Sequence, residues 1–392
     1  MEIKRRPEDF VVYEVADVAP EGRGPFALYR LFKRGSTTWD VLGDIARRLR
    51  KRYEEIGYGG LKDRQALSYQ FITIKYGPKK DLEGRNYRLE YLGQTSFPMS
   101  KARLKGNNFC IRVYEVAVDN LTAEIDLIRR FGVVNYFDEQ RFGSVRQTKT
   151  FALKELILGH YEKALYLLLV GASQYEGRKT RSFRDCLRRH WPDVRPCVDM
   201  APSRWEKGLL SFLSSHKPSK RTFKRAFALV DQEYLFLLGN AYQAYIWNET
   251  VKELLASLED TRLFAAPYLL GELLFYKVLS EPNLKYLQDL KLPLPSPRLK
   301  ISSPLRDFME TVLQREGISS LEGFRTLAKG AVFKTYPREI IVFPKDFSYE
   351  IRGQKEVLLK FFLPKGSYAT VVLKRLFGLQ SLDLGLKKNV VR

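Results

Sequence analysis

The most informative segment of this chain is Gly60-Leu61-Lys62-Asp63-Arg64-Gln65-Ala66-Leu67-Ser68-Tyr69-Gln70. It begins as a glycine-led loop and continues into a β-rich run at residues 68–75, which predicts that Asp63 lies at the edge of a strand. Asp63 stands between two cations, Lys62 and Arg64. Nearby cations favour the ionised form of a carboxylate, so Asp63 could serve as a nucleophile or base even in a partly dry site. Taken alone, an aspartate after two glycines is more often a turn or helix-cap residue.

Strands and a helix are predicted before this segment. Residues 10–15 and 27–32 alternate as strands do and are predicted to pair as a hairpin. A helix is then predicted to begin at Ser36, Thr37 or Thr38 and to end near Gly57. Its apolar residues recur at helical spacing and form one stripe: Val41, Leu42, Ile45, Leu49 and Tyr53.

The order of the remaining elements predicts two domains. A second strand pair is expected at residues 87–91 and 110–118, with Gly106 and Asn107 supplying turn chemistry between them. Helical patterns prevail between residues 161 and 287, and strand character returns at 339–343 and 357–362. A helical block between two β-rich segments predicts an α+β protein in which a mainly helical domain is inserted into a sheet-based domain.

Composition points to a polyanionic partner. The 392 residues include 67 Lys+Arg and 45 Asp+Glu, for a net charge of +22, and 45% of them are hydrophobic, which excludes intrinsic disorder overall. Residues 176–225 are locally basic and contain several aromatic residues, a composition that suits RNA. The competing interpretation is a set of helices with basic outer faces and aromatic core faces.

Several chemistries lack their usual residues. The three histidines, His160, His190 and His216, are isolated, and neither a GxxxxGK[ST] nor a strand-following GxGxxG motif is present. We therefore expect an enzyme without a metal or another cofactor. The three cysteines form no CxxC pair, so free structural thiols are expected rather than a disulfide: Cys110, Cys186 and Cys197.

The location expected from the sequence is the cytoplasm. The longest apolar run, residues 164–170, is far shorter than the roughly 20 residues that cross a bilayer. The amino terminus is charged and lacks the apolar region of a secretory signal. We expect no membrane association and a monomeric state.

Six segments in order resemble the motifs of the TruD family of tRNA pseudouridine synthases. Residues 60–70 are similar to the family's G-x-K-D-[RK]-x-A-x-T-x-Q signature. The other five are PEDFVVYE at 7–14, GNNF at 106–109, NYFDEQRFG at 135–143, AYQAYIWN at 241–248 and LPKGSYAT at 363–370. The sequence departs from the family pattern at Ser68, at Asp138 and at the pair Lys374-Arg375, and its middle part matches weakly.

The resemblance implies a fold and a reaction. It implies a discontinuous catalytic domain, residues 1–131 and 343–392, with an inserted TRUD domain at 132–342 whose structural boundaries could fall near 150 and 335. The implied reaction is isomerisation of a uridine of tRNA to pseudouridine, at position 13 in most members, without a cofactor. The tRNA would occupy the cleft between the two domains.

The resemblance also implies roles for single residues. Asp63 would be the catalytic carboxylate, acting either by covalent attack on the nucleotide or by proton abstraction at the ribose. Lys4 would pair with Asp63, and Phe109 would stack on the target base. Asn107 would hydrogen-bond the edge of that base or a neighbouring phosphate. Two aromatic side chains would complete the pocket wall, Phe10 and Tyr368.

Two other functions stay open at this point. One is a non-catalytic protein of the same fold that binds tRNA or another RNA. The other is a pseudouridine synthase that acts on another RNA or on another position of tRNA. The residue roles also have ordinary structural alternatives: a core position for Phe10 and Tyr368, a left-handed turn for Asn107 and a free surface cation for Lys4.

Overall fold

The computed structural model describes residues 1–146, 148–171, 177–326 and 333–386, with side chains to residue 378. The strands in chain order are β1 Glu2–Ile3, β2 Phe10–Ala16, β3 Phe26–Lys33, β4 Ile56–Tyr58, β5 Leu67–Lys75, β6 Leu82–Gly84, β7 Tyr87–Thr95, β8 Leu104–Tyr114, β9 Val133–Val134, β10 Leu263–Tyr268, β11 Gly271–Tyr276, β12 Lys291–Pro293, β13 Pro337–Glu339, β14 Ile341–Val342, β15 Lys345–Gly353 and β16 Glu356–Pro364. The helices are α1 Thr38–Leu49, α2 Leu121–Phe131, α3 Ala152–Ile157, α4 Tyr161–Val170, α5 Arg178–His190, α6 Arg204–Ser214, α7 Lys220–Ala226, α8 Gln232–Ala256, α9 Glu281–Asp289, α10 Leu305–Arg315 and α11 Ala369–Leu386. Short 3-10 turns lie at Pro7–Asp9, Tyr53–Glu55, Glu139–Val145, Arg195–Met200, Phe227–Leu229 and Leu321–Thr326.

The chain forms two compact units. One combines Met1–Asn135 with Ile341–Arg392, and the other consists of Tyr136–Ile340. The first unit contains the large mixed sheet and the second contains most of the helices. The predicted α+β class is therefore confirmed.

The first unit is built on a ten-stranded mixed sheet. Its main path runs β15-β16-β8-β2-β5-β3-β7-β6, with β1 paired to β8 and β4 paired to β5. The predicted hairpin of residues 10–15 with 27–32 is wrong, because β5 lies between β2 and β3, parallel to one and antiparallel to the other. A non-local strand thus separates two segments that are neighbours in sequence.

One face of this sheet packs against α1. The inward positions of β3, Ala27, Tyr29 and Leu31, share a core with Val41 and Leu42 of the helix. The helix begins where it was predicted to begin, with the Thr37 side chain accepting from the Asp40 amide. It ends at Leu49, earlier than predicted, because Arg50 has a φ of 52° and closes the helix in the left-handed conformation.

The segment around Gly106 is a strand rather than the predicted turn. Gly106 and Asn107 lie inside β8, where they pair with Pro364 and Leu363 of β16. A side chain at Gly106 would meet the Leu363 carbonyl oxygen at 2.2 Å. Glycine is therefore required here for close approach of two strands, not for a turn.

The second unit surrounds the 25-residue helix α8. The side chain of Asn248 on this helix accepts from the Phe137 amide at 2.9 Å and donates to the Phe137 carbonyl at 2.8 Å. Two small antiparallel pairs, β10 with β11 and β12 with β13, complete the unit. Within the parts of the chain that the structure describes, no helix has the length and apolar character needed to cross a membrane.

The second unit contains a disulfide that the sequence analysis did not predict. Cys186 on α5 is bonded to Cys197, 11 residues later, whereas Cys110 on β8 is free and half-buried. The lack of a CxxC pattern was misleading, because the turn after α5 brings the two sulfur atoms together.

This pairing can be checked by counting thiols. The unfolded, unreduced protein should react with a thiol reagent once per chain, at Cys110, and the reduced protein three times. Reduction should lower the free energy of unfolding of the second unit by about 2 to 3 kcal/mol, because a short loop is released in the unfolded chain. A Cys110→Ser variant should show the same loss on reduction. Three reactive thiols without reductant would contradict the pairing.

Candidate active site

Asp63 lies in the loop between β4 and β5, and three buried side chains hold this loop. Thr38, at the start of α1, accepts from the Lys62 amide at 2.9 Å through its hydroxyl oxygen. The same hydroxyl donates to Gln70 on β5 at 3.2 Å, and the Gln70 amide donates to the Gly60 carbonyl at 3.4 Å. Lys33, at the end of β3, donates to the carbonyl of Asp63 itself at 2.7 Å.

Lys4 is the cation in contact with the Asp63 carboxylate. Its ammonium group donates to Oδ2 of Asp63, and the two side chains are 16% and 22% exposed. The short strand β1, which pairs with β8, precedes Lys4. Lys4 itself has a φ of 60°, a left-handed conformation that non-glycine residues rarely adopt and that clusters at functional sites. The fold thus directs this lysine to the carboxylate over a separation of 59 residues.

The surroundings of Asp63 favour its ionised form. Burial by itself would raise the pKa of Asp63. The charge and the hydrogen bond of Lys4 lower it, and so do the hydrogen bond from the backbone amide of Gln65 and the charge of Lys33. The net result is a pKa below the ordinary value of an aspartate. Asp63 is therefore a partly buried carboxylate that carries a negative charge at neutral pH.

Lys62 does not supply the countercharge that its position next to Asp63 suggested. Its ammonium nitrogen lies 2.7 Å from Oε2 of Glu14 and donates to Oδ1 of Asn107 at 2.9 Å. Arg64 donates from Nε to the Gly35 carbonyl at 3.2 Å. Adjacent residues in an extended loop point in different directions, so sequence adjacency did not identify the partner of Asp63.

The predicted aromatic residues Phe10 and Phe109 lie next to Lys4. The Lys4 ammonium sits 4.3 Å from the centre of the Phe10 ring, which meets Phe109 edge to face at 6.0 Å. Phe109 also packs against Phe361 at 5.7 Å and is only 8% exposed. A base stacked on Phe109 would therefore have to use the small part of the ring that remains open, or move its neighbours.

Asn107 and Tyr368 are placed by β8 and β16. Asn107 lies on β8 opposite Leu363, two residues before Phe109 and on the same face of the sheet. Tyr368 follows Leu363 by five residues, in the turn that leads from β16 into α11, and is half-buried. The structure thus places Lys4, Phe10, Asn107 and Phe109 around the Asp63 loop, and Tyr368 beyond the end of the strand that pairs with Asn107.

Two charged residues of this site had no predicted role. The Lys33 side chain is fully buried and donates to the Ser36 carbonyl at 2.9 Å as well as to Asp63. Glu14 accepts from the Phe71 amide at 3.1 Å and pairs with Lys62. The alternation of buried and exposed residues along β2 and β3 could have identified both residues. Each occupies a buried position of its strand, where a charged side chain needs a partner.

Lys33 should make stability depend on pH. Burial lowers its pKa from the ordinary 10.5 to about 8, so the unfolded chain holds this proton more tightly than the folded one. Its contribution to the free energy of unfolding is therefore smallest below pH 8 and grows as the pH rises from about 8 towards 10.5. Relative to Lys33→Met, the wild-type protein should gain about 1 to 2 kcal/mol between about pH 7 and about pH 9.5. Urea unfolding at both pH values measures this gain.

The control for this experiment is Lys360→Met, which removes an exposed lysine of the same unit. Its stability relative to the wild type should not change over the same pH interval. If the free energy of unfolding of the wild type relative to Lys33→Met stays constant or falls as the pH rises, then burial does not lower the pKa of Lys33.

Comparison with known proteins relates this site to one family. The family model "tRNA pseudouridine synthase D (TruD)" matches residues 1–265 and 289–376. The "Probable tRNA pseudouridine synthase D 2" of Methanocaldococcus jannaschii is 33% identical over 392 residues, covering 96% of this chain and 92% of that protein. The tRNA pseudouridine synthase D of Aquifex aeolicus is 28% identical and covers 96% and 97%.

A solved structure agrees with the sequence comparisons. The crystal structure of the TruD homologue from Methanosarcina mazei superposes with a TM-score of 0.66 at 25% identity, covering 96% of this chain and 93% of that one. The resemblance inferred from six short motifs is therefore confirmed over nearly the whole sequence. The mixed sheet, the helical second unit and these matches together establish that the chain belongs to the TruD family of tRNA pseudouridine synthases.

Proposed function

We propose that this protein isomerises uridine 13 of tRNA to pseudouridine and that Asp63 is its catalytic carboxylate. The isomerisation of uridine in tRNA follows from the family, and the single observation that supports Asp63 is its charge pairing with Lys4 in a loop held by buried side chains. We also expect the enzyme to act as a monomer in the cytoplasm, where tRNA is available to it. It needs no cofactor in this proposal.

The reaction breaks the bond between ribose C1′ and N1 of uracil and forms a bond between C1′ and C5. The hydrogen on C5 is lost and N1 gains one, so the product is an isomer of the substrate. Asp63 would begin this exchange either by attack on the nucleotide or by taking a proton from the ribose. Both routes require an ionised oxygen held in a fixed position, which Lys4 and the Gln65 amide provide.

Asn107 would recognise the uracil once the nucleotide has turned out of the tRNA. A lysine ammonium can only donate hydrogen bonds, so the contact with Lys62 orients the Asn107 amide with its oxygen towards Lys62 and its NH2 group away from it. An NH2 donor complements the carbonyl oxygens of uracil, whereas it opposes the amino group of cytosine. Lys62 and Glu14 would therefore act on the substrate through Asn107.

We expect Asn107→Ala to lower kcat/KM for tRNA by about tenfold, because one hydrogen bond to the base is lost. Asn120→Ala is the matched control, since Asn120 is an exposed asparagine of the same unit that lies just before α2, away from β8. Its kcat/KM should equal that of the wild type. Equal losses of kcat/KM in both variants would show that Asn107 has no specific role in recognising the base.

The experiment that tests the function uses purified protein and an unmodified tRNA transcript. Pseudouridines are mapped by carbodiimide labelling and primer extension before and after incubation. A new pseudouridine at position 13 supports the full proposal. A new pseudouridine elsewhere would replace the proposed position while retaining the reaction, and tight tRNA binding without any modification would favour the non-catalytic alternative.

A further inference from the structure

The sheet face opposite α1 carries an open aromatic surface. In a sheet, residues directly opposite each other on adjacent strands share a face. Tyr13 of β2 and Phe32 of β3 both lie opposite Tyr69 of β5, and Arg30 of β3 lies opposite Phe71. Tyr13 is 44% exposed, and the other three rings are half-buried. We call Tyr13, Phe32, Tyr69 and Phe71 the aromatic face.

The rings of the aromatic face support one another. Tyr13 and Tyr69 are stacked with 4.7 Å between their centres and an angle of 9°. On the other side of Tyr69, the centre of the Phe32 ring lies 5.1 Å from the centre of the Tyr69 ring. The guanidinium carbon of Arg30 lies 5.9 Å from the centre of the Phe71 ring. Side chains that hold each other in place lose little freedom when a flat group stacks on them, which favours binding.

An arginine-rich cleft adjoins the aromatic face. The cleft has a volume of about 980 Å³, and Phe32 and Tyr69 form part of its wall. Its charged lining consists of four arginines and two glutamates, so cations are in excess: Arg30, Arg34, Arg85, Arg88, Glu83 and Glu90. Glu90 pairs with Arg30 at 3.5 Å in an exposed contact. The ion pairs of Arg34 with Glu8 and of Arg88 with Asp81 are largely exposed, so they contribute little and can be exchanged for phosphate.

The cleft is connected to the candidate active site through the end of β3. Gly35 lines the cleft, and its carbonyl accepts the hydrogen bond from Arg64, the residue after Asp63. Lys33, which donates to the Asp63 carbonyl, points to the opposite face of β3 from Phe32. The path from Asp63 to the cleft therefore runs around the end of this strand, past Gly35. An RNA strand with one nucleotide at Asp63 could therefore reach the cleft with its next nucleotides.

We propose that the aromatic face and its cleft bind unpaired nucleotides of the RNA substrate next to the target uridine. The inference rests on the proposed function, which supplies the substrate. Stacked rings with arginines beside them bind single-stranded RNA, because rings stack on bases and guanidinium groups hold phosphates. The net charge of +22 on the whole chain favours a polyanion such as RNA over a protein partner.

The test compares Tyr13→Ala with Tyr76→Ala, since Tyr76 is also exposed and belongs to the same unit but lies outside the aromatic face. Tyr13→Ala should raise KM for tRNA by about 5- to 30-fold and leave kcat within about twofold, because stacking is lost and the Asp63 site is untouched. Tyr76→Ala should leave both constants unchanged. Equal thermal midpoints show that the variants are folded.

A second measurement uses the wild-type protein. A tRNA transcript that contains 5-bromouridine is irradiated in complex with the enzyme, and the cross-linked peptides are identified by mass spectrometry. Adducts at Tyr13, Tyr69 or Phe71 support the proposal. The proposal is overturned if the wild-type enzyme is active, Tyr13→Ala leaves KM unchanged and no adduct forms on these residues. Failure of the proposed function is distinct, because the wild-type enzyme would then be inactive. Loss of self-association in Tyr13→Ala, measured by sedimentation, would instead assign this face to a second copy of the chain.

Discussion

Replacing Asp63 with alanine should abolish pseudouridine formation, with kcat at least about ten-thousandfold lower than in the wild type. The variant Asp63→Asn should be equally inactive. It keeps the size of the side chain and the hydrogen bond from the Gln65 amide, and it removes only the negative charge. Both routes open to this enzyme need that charge, whether the oxygen attacks the nucleotide or accepts a proton. Single-turnover assays with radiolabelled tRNA measure the loss.

Binding separates this effect from damage to the fold. The affinity for tRNA should stay within about twofold in both variants, because phosphate contacts supply most of it. The control is Asp17→Asn, which removes an exposed carboxylate of the same unit and should retain full activity. Turnover by Asp63→Asn at a rate near that of the wild type would disprove the catalytic assignment.

Among these substitutions, Lys62→Met should cause the largest decrease in the free energy of unfolding. The side chains of Lys62 and Glu14 are 7% and 0% exposed, and their charged atoms lie 2.7 Å apart. Removing the lysine leaves the Glu14 carboxylate buried without a cation, which costs about 3 to 5 kcal/mol. For a unit of this size the thermal midpoint should fall by about 10 °C, as measured by calorimetry.

A second substitution distinguishes the charge from the packing. Adding Glu14→Leu to Lys62→Met should recover part of the lost stability, because two apolar side chains then replace the charged pair. Recovery should be incomplete, because the Phe71 backbone amide loses its acceptor on Glu14. Activity should not recover, since Asn107 has lost the donor that orients its amide. The exposed pair of Lys105 and Asp17 is the control, and Lys105→Met should cost less than about 1 kcal/mol. If Lys62→Met is no less stable than Lys105→Met, the buried pair is not important for the fold.

The sequence was sufficient for features that short segments encode. The start of α1 followed from the capping threonine and from the spacing of Val41, Leu42 and Ile45. The glycine-led segment before β5 did form a loop, although Asp63 lies within this loop, four residues before the strand, and not at the strand edge itself. The family followed from six motifs, each of which is contiguous in the chain. These features depend on neighbours within a few residues, so they can be read along a single chain.

The tertiary structure decided which side chains meet. Lys62 is adjacent to Asp63 in sequence but pairs with Glu14, and the cation in contact with Asp63 is Lys4, 59 residues away. The role of Lys33 depends on the register of β3 with β5. Strand order and register are set by the burial of whole faces, which involves residues far apart in the chain. The sequence by itself therefore determined the family and pointed to Asp63 as the candidate catalytic carboxylate, whereas the charge on Asp63 is set by partners that only the assembled sheet brings to it.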